Sequence, residues 1–493
     1  MKKQKQLKKK QDDYLSSTAG SSDYNAYMMA EQRYCMKPYI DRRGAENLKL
    51  HKYSASDCGF AYVYFYSPIA ERAVKLLPDW VAPNTITLVG FCHTLLPIFV
   101  LYFVIGTSMV GPVPNWFLLG QAWCYFVYRM LDEMDGKQAR LTGNSSPLGL
   151  IFDHGCDCFA AGIQPLIFFR LMQVGNNIIP KIMQVCIYSA FYFVTLEEYY
   201  SGFMYFPPLN AVSDGSIFII TAAVLTWYLG GSNVWATPYV DGSWLNFDGV
   251  DVLTYGQVLA LLISAFSVLL AHWQVVKICW YYWYPRKTQS EKVNFSLLAQ
   301  QYLAFWGWTA MWFYFQYQGR DPIRISRPVP VDNESARLAN DDDDYGQSYM
   351  AIHHALYVTV IVAQTISIQF AHVTKSKFSP WTKILTFALI TMSCVCVVGW
   401  LRDGDVNFKL WSTLLCGVIA VSKWQFILSV IGEMTQILGI EVFVTKQEQQ
   451  RKLARRQQKA KAIRSKFEKD RLRSRPEDDS QHASFVKKAF KSE

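Results

Sequence analysis

Charge is scarce in this sequence. Asp, Glu, Lys and Arg make up 18% of its 493 residues, against about 25% in soluble globular chains. Much of that charge sits at the two ends, so the middle is poorer still, and a set of ordinary soluble domains is excluded. No basic stripe crosses the middle either. The net charge of +10 comes largely from the tails, which argues against a nucleic-acid partner. The Lys-rich opening has no apolar core of signal-peptide type, so membrane insertion is expected to use internal spans. No internal repeat is visible. The eleven cysteines include two pairs spaced two apart, Cys156/Cys158 and Cys394/Cys396. On a helix such pairs point about 200° apart and can neither share a metal nor easily form a disulfide. They are expected to be reduced, buried small residues.

Apolar and aromatic residues are abundant: 51% hydrophobic, with 31 Phe, 29 Tyr and 16 Trp. That composition suits a protein with aromatic anchors at two membrane interfaces. Windows long enough to cross about 30 Å of hydrocarbon fall near 86–108, 116–138, 148–174, 179–197, 215–231, 252–276, 296–316, 350–372, 381–401 and 410–432. The expected fold class is all-α integral membrane, with about ten transmembrane helices preceded by an interfacial amphipathic helix. That leading helix is placed at 60–80, where Glu71, Arg72 and Lys75 make the segment too charged to span.

Five regions are expected: a basic, polar N-terminal tail over 1–50, the interfacial region 51–82, catalytic helices 83–232, further spans 233–445 and a basic tail 446–493. Lys2, Lys3, Lys5, Lys8, Lys9 and Lys10, the C-terminal Lys and Arg, and loop residues Arg286, Lys287, Lys292, Lys375 and Lys377 fall on one side of a ten-span arrangement. By the positive-inside rule that side is the cytosol. The opposite side carries the apolar loop 109–115, Asp241, Asp248, Asp251 and the mixed loop 320–348. Asn144 and Asn333 both sit in glycosylation sequons, and only Asn333 would lie outside the cytosol. The segment 446–475 suits either a helix held against anionic headgroups or a solvated tail.

One region breaks the rule that spans avoid charge. It reads Leu131-Asp132-Glu133-Met134-Asp135-Gly136-Lys137-Gln138-Ala139-Arg140, and after a short link come Gly149 and Asp153-His154-Gly155-Cys156-Asp157. At 100° per residue, Asp132, Asp135, Gly136 and Ala139 share an arc about 100° wide, and Gly149, Asp153 and Asp157 one of about 80°. The short link makes the two helices antiparallel neighbours. Gly136, Ala139 and Gly149 let them approach closely. Four carboxylates then converge. Each costs roughly 2.5–3.5 kcal/mol at mid-membrane depth, so four unpaired would cost about 10 kcal/mol, as much as a whole domain's stability. A salt-bridge network at a helix end is the other explanation, and Arg140 alone supplies too little positive charge for it. Divalent cations supply enough, and hard oxygen ligands favour Mg2+ or Mn2+. Four carboxylates suit two ions, the arrangement that clamps both oxygens of a phosphoryl displacement. Asp132, Asp135 and Asp153 are the first ligands to expect. Arg140 would grip a diphosphate by its fork. Asp157 would ligate the second ion or take the nucleophile's proton, and His154 suits the same proton transfer.

The pattern Asp132-x2-Asp135-Gly136-x2-Ala139-Arg140-x8-Gly149-x3-Asp153-x3-Asp157 resembles the signature of the CDP-alcohol phosphatidyltransferase class-I family at every position. Gly136-Lys137-Gln138-Ala139-Arg140, Ser145-Ser146-Pro147-Leu148-Gly149, Phe152-Asp153-His154-Gly155-Cys156-Asp157 and Trp80-Val81-Ala82-Pro83-Asn84-Thr85-Ile86-Thr87 look like its eukaryotic choline/ethanolamine phosphotransferases. The likeness is close over about 78–160. It departs at Leu141 and Leu150, where those enzymes carry an arginine and a glutamate.

The resemblance implies transfer of phosphocholine or phosphoethanolamine from CDP-choline or CDP-ethanolamine to diacylglycerol, releasing CMP. It implies two Mg2+ or Mn2+ ions held by Asp132, Asp135, Asp153 and Asp157, with His154 or Asp157 as base. Asn84, Gly136, Ala139, Arg140 and Gly149 would line the nucleotide and diphosphate site. It also implies a cytosol-facing site, both termini cytosolic, an endoplasmic reticulum or Golgi location and a homodimer. Asn84 could equally cap a helix. Glu198, beside Glu197 and two tyrosines, could attract a headgroup ammonium. His272 suits packing, and Glu433 an inner cavity. Ceramide as acceptor is an alternative within the same chemistry. A transporter is a more distant one, because the carboxylates are concentrated on two helices rather than spread along a path.

Overall fold

The computed structural model describes residues 39–106, 111–175, 177–245, 252–285, 292–318, 354, 357–401 and 408–473. The N-terminal lysines and the whole loop 320–348, with its Asn333 sequon, lie outside the described residues, as do Asp248, Asp251, Arg286 and Lys287.

Helix dominates. In chain order the described helices are α1 (Arg42–Leu50), α2 (Ser67–Ala73), α3 (Pro83–Val100), α4 (Asn115–Leu141), α5 (Pro147–Leu171), α6 (Ile178–Ser201), α7 (Ser213–Tyr228), α8 (Tyr255–Trp283), α9 (Phe295–Gln318), α10 (Tyr357–Thr374), α11 (Lys383–Leu401), α12 (Phe408–Leu438) and α13 (Lys446–Arg473). Two small sheets were not anticipated: β1 (Ala55–Asp57) runs parallel to β2 (Met204–Phe206), and β3 (Pro238–Asp241) antiparallel to β4 (Val252–Thr254).

Among the described residues a helix overlaps each of the ten expected windows, but the membrane signal is narrower. Among the described residues five helices are long and apolar enough to cross a bilayer: Pro83–Ile105, Ile178–Ser201, Tyr255–Trp283, Tyr357–Thr374 and Thr413–Leu438. Helices α4 and α5 are not among them, and both carry the acidic motif. Large apolar side chains on these spans face outward, Leu96, Phe99 and Phe103 on the first and Leu262, Leu269 and Trp280 on the third. Such surfaces need a lipid covering and mark a membrane protein.

Local sequence explains where the site helices begin. Pro83 and Pro147 occupy first helical turns, where a missing N–H costs nothing. The Ser146 hydroxyl caps α5 by accepting from Gly149 N at 3.1 Å. Thr254 and Gln257 form a capping box at α8. Close approach then needs small residues: a Cβ on Gly90 would meet Leu131 Cβ at 3.2 Å, and one on Gly162 would overlap the Tyr188 hydroxyl. These contacts join α3 to α4 and α5 to α6. The largest core is aromatic, with Tyr192, Phe193, Phe305, Trp308 and Trp312 buried together.

The segment expected to lie at the interface is helical over Tyr62–Leu76 with changing pitch, wide at Tyr62–Tyr66 and tight at Val74–Leu76. Ala61, Tyr66, Ala70 and Val74 pack on Ile86, Met130 and Met134. Its other face exposes Tyr64, Leu76 and Trp80. Residues 39–50, at the end of the expected N-terminal tail, are docked rather than free. Glu433 accepts from Tyr39 N at 2.9 Å and Ile40 N at 2.8 Å, and Asn47 donates to Thr374 O at 2.9 Å. Glu433 therefore anchors a backbone. His272 packs as expected, its Nε2 3.0 Å from the Tyr302 hydroxyl.

Candidate metal and phosphoryl-transfer site

Helices α4 and α5 are joined by residues 142–146, and their acidic residues meet where α3 starts. The close α4–α5 approach expected at Gly136, Ala139 and Gly149 is not found, because α3 packs against both helices and Gly149 faces Asn84 of α3 rather than α4. Asp132, Asp135 and Asp153 each offer a carboxylate oxygen, and these oxygens lie within 4.8 Å of one another. Asp135 is 5% exposed and accepts from the Thr87 hydroxyl of α3. Asp153 Oδ1 is buried with no hydrogen-bond partner among the described residues. An orphaned anionic oxygen inside a three-carboxylate cluster is costly. A hard, oxygen-seeking cation satisfies it, and the all-oxygen donor set fits Mg2+ or Mn2+.

Asp157 falls outside that triad. Its Oδ1 accepts from the Tyr128 hydroxyl at 2.5 Å, one helix across. The positive charge near the cluster comes from a residue the sequence reading passed over. Arg129 is buried on α4 and bridges Asp132 at 2.5 Å and Glu133 at 3.0 Å. The signal was present in its spacing, three and four residues before two acids.

Arg140, at the end of α4, is exposed, and no ion pair is recorded for it among the described residues. Its guanidinium folds back over Gly136, where a Cβ would lie 3.4 Å from Arg140 Nη1. Gly149 plays the matching part on α5: a Cβ there would lie 3.4 Å from Asn84 Oδ1. Asn84 is not a cap, since Ala82 occupies that position without a side-chain bond. Its amide donates instead to Val442 O at 2.9 Å, in the segment after α12. Ala139 is half-buried on α4. Lys137 turns away, donating to Ser67 Oγ at 3.0 Å.

His154 belongs to a second polar group. Gln369 of α10 stands 2.9 Å from His154 Nδ1 and donates to Glu198 Oε2 at 2.8 Å. The Tyr53 ring meets His154 edge-on at 6.0 Å. Glu198 is buried, not solvated, and His372 Nε2 lies 3.9 Å from its other oxygen. Glu197 points elsewhere, accepting from the Tyr281 hydroxyl and pairing with Lys277 at 3.6 Å. Gln369 lies more than 200 residues from His154 along the chain, so no local pattern could have shown it. The two departures from the family pattern are apart: Leu141 is 63% exposed and Leu150 is buried.

A sequence model of the family described as CDP-alcohol phosphatidyltransferase matches residues 80–240. The chain is also similar to curated proteins. Choline/ethanolaminephosphotransferase 2 of Arabidopsis thaliana is 33% identical over 203 residues, 41% of this chain and 51% of that protein. Choline/ethanolaminephosphotransferase 1 of the same plant is 31% identical over 237 residues, 47% of this chain and 59% of that protein. Cholinephosphotransferase 1 of Saccharomyces cerevisiae is 29% identical over 246 residues, 48% of this chain and 61% of that protein. The chain thus spans about half the length of the curated relatives it matches.

Proposed function

We propose that this membrane protein, whose residues 80–240 match the CDP-alcohol phosphatidyltransferase family model, transfers phosphocholine or phosphoethanolamine from a CDP-alcohol to the hydroxyl of diacylglycerol, releasing CMP. The observation that carries the proposal is the triad of Asp132, Asp135 and Asp153, with its partnerless buried oxygen. Two of these acids come from one helix and the third from its antiparallel neighbour, a spacing that a mere helix-end ion pair does not need. The names of the similar proteins support the choice of alcohols.

The triad would hold one divalent ion, and Asp157 is the carboxylate available to a second. Mg2+ or Mn2+ held there supplies charge neutralisation at the diphosphate and at the bond to be broken. The protein's own residues do the remainder. Arg140, unpaired and poised over Gly136, presents a planar fork of N–H donors to diphosphate oxygens. Gly136, Ala139 and Gly149 leave room for the nucleotide between the helices, and Asn84 fixes the start of α3 against them.

His154 is the base in this scheme. Its Nδ1 is held through Gln369, which ties the ring to buried Glu198. A base needs a free Nε2 lone pair, hence an Nδ1–H facing an acceptor. Turning the Gln369 amide over supplies that acceptor, its Oε1, and keeps the link to Glu198 only when the Glu198 carboxyl is protonated and donates to the same oxygen. Glu198 is then part of the support for His154 rather than a headgroup site. Asp157, committed to Tyr128, suits a ligand better than a proton carrier. We place the remaining long helices across the bilayer as well, giving about ten spans. The tails and the site then face the cytosol, in the endoplasmic reticulum or Golgi.

The test is purified full-length protein with Mg2+, diacylglycerol and radiolabelled CDP-choline or CDP-ethanolamine. Labelled phospholipid and equimolar CMP are expected, and competition between the two donors reads the preference. CMP without labelled lipid, or no turnover with either donor, contradicts the proposal. Label appearing only with ceramide would replace the acceptor.

A further inference from the structure

We propose that α13 docks on an anionic lipid surface and that this docking steadies the link between the two motif helices. The proposal stands apart from the choice of donor and acceptor. Four observations carry it.

The first is charge. Lys446–Arg473 holds twelve Lys and Arg against three Asp and Glu. The second is position. Helix α12 is one of the five apolar helices and ends at Leu438, the chain turns at Gly439 (φ 63°), and α13 begins at Lys446. The basic helix therefore starts close to where hydrocarbon gives way to headgroups.

The third observation is exposure. Arg451, Lys452, Arg455, Arg456, Lys459 and Lys461 are all exposed. Among the described residues none of them makes a hydrogen bond or ion pair with another helix. Leu453 and Ile463 are also exposed, at 56% and 62%. The two lie about 80° apart around the helix and form a narrow apolar seam. This seam is too narrow to insert deeply but suits the headgroup layer. An acidic protein would satisfy the charge equally, but a basic helix leading straight out of a span meets the bilayer surface first.

The fourth observation joins this helix to the chemistry. Lys446 N donates to Asn144 Oδ1 at 2.8 Å, and Lys446 Nζ reaches Gly143 O at 3.3 Å. Gln447 donates to Thr142 O at 2.6 Å and accepts from Asn144 Nδ2 at 3.1 Å. Just before them, Val442 O receives Asn84, and Phe443 meets Phe152 edge-on at 5.7 Å. The segment 442–447 thus touches α3, α5 and the 142–146 link that follows Arg140 and leads into α5. Holding α13 on a surface restrains that link.

Hydrogen–deuterium exchange of the full-length protein tests both halves without any activity readout. Nanodiscs of phosphatidylcholine are compared with discs containing phosphatidylserine. Each basic residue at an anionic surface tightens docking about fivefold. Amides of α13 and of residues 141–147 are expected to exchange at least about tenfold more slowly in the anionic discs. The slowing should vanish near 0.5 M NaCl, where the Debye length is about 4 Å, and in the triple variant R455E/R456E/K459E. Equal exchange of α13 in the two disc types overturns the docking. In the double variant N144A/Q447A, α13 should still be slowed but 141–147 should not. Slowing of α13 alone in the unaltered protein, or slowing of the link that survives N144A/Q447A, overturns the coupling.

Discussion

Two groups of buried acids lie inside this helix bundle, and their surroundings differ in kind. Glu197 on α6 is supplied with partners, the Tyr281 hydroxyl and the Lys277 ammonium. The triad on α4 and α5 is undersupplied. Arg129 serves Asp132 and Glu133, Thr87 serves Asp135, and Asp153 Oδ1 has nothing. A fully paired buried acid is architecture, since removing one partner is strongly destabilising while the pair itself does no work on a ligand. A cluster left short of positive charge is held for something that brings its own.

Substitutions should separate the two groups. Asp153→Asn keeps the shape of the triad and removes one anionic oxygen. Lipid synthesis is expected to fall by at least about 10³-fold, in line with loss of a principal charge-stabilising group. Stability in chelator should be unchanged or raised, because one of three repelling carboxylates is gone. A thermal-melt series with and without Mn2+ checks this: the metal should raise the midpoint of the unaltered protein and not that of the variant. A variant that melts lower and keeps its turnover would put the triad with Glu197 as architecture.

His154→Ala comes next. A general base contributes about 10²- to 10⁴-fold, so turnover should drop within that range while Mn2+ binding persists. Near-normal turnover would return the role to Asp157. Glu197→Ala should show the opposite profile to Asp153→Asn. Breaking a buried ion pair costs roughly 3–5 kcal/mol, so its unfolding midpoint in denaturing detergent should fall clearly, with kcat/KM of the folded fraction close to that of the unaltered protein.

The smallest effect concerns a group outside the spans. Burial, with the Lys375 ammonium nearby, pushes His51 down to about 4, and its ring meets His372 edge-on at 5.4 Å. A depressed histidine stays neutral when folded but protonates near 6.5 when unfolded. Its stabilising contribution is therefore present above pH 6.5 and is lost as pH falls toward 4. The His51→Gln variant should lose less melting temperature between pH 7 and 5 than the unaltered protein does. Equal losses would show that other groups set the acid response.

The acidic site was legible because its geometry is local. Fixed spacings on two helices joined by a short link determine which carboxylates can meet, and Asp132, Asp135 and Asp153 do. The residues that complete the site arrive from distant parts of the chain. Thr87, Gln369 and Val442 are brought in by packing, which no helical periodicity encodes, whereas Tyr128 sits one turn before Asp132 on α4. Arg129 was legible and overlooked, because its apolar neighbours masked a simple i, i+3 and i, i+4 pairing. The count of spans suffered from the same motif. Hydropathy reads α4 and α5 as interrupted by charge, and α7, at 16 residues, is short for a span, so five helices qualify by length and composition among the described residues. The segment 446–475 suited either a helix at headgroups or a solvated tail; it is helical over Lys446–Arg473, and its first turn is bonded to Thr142, Gly143 and Asn144.

Direct titration with Mn2+, followed by electron paramagnetic resonance of the free ion, bears most closely on the central idea. Full-length protein in detergent should take up Mn2+ that Mg2+ competes away, and Asp153→Asn should abolish the tight uptake while Glu197→Gln leaves it intact. Equal Mn2+ uptake by the unaltered protein and Asp153→Asn would contradict a metal centre built from these carboxylates.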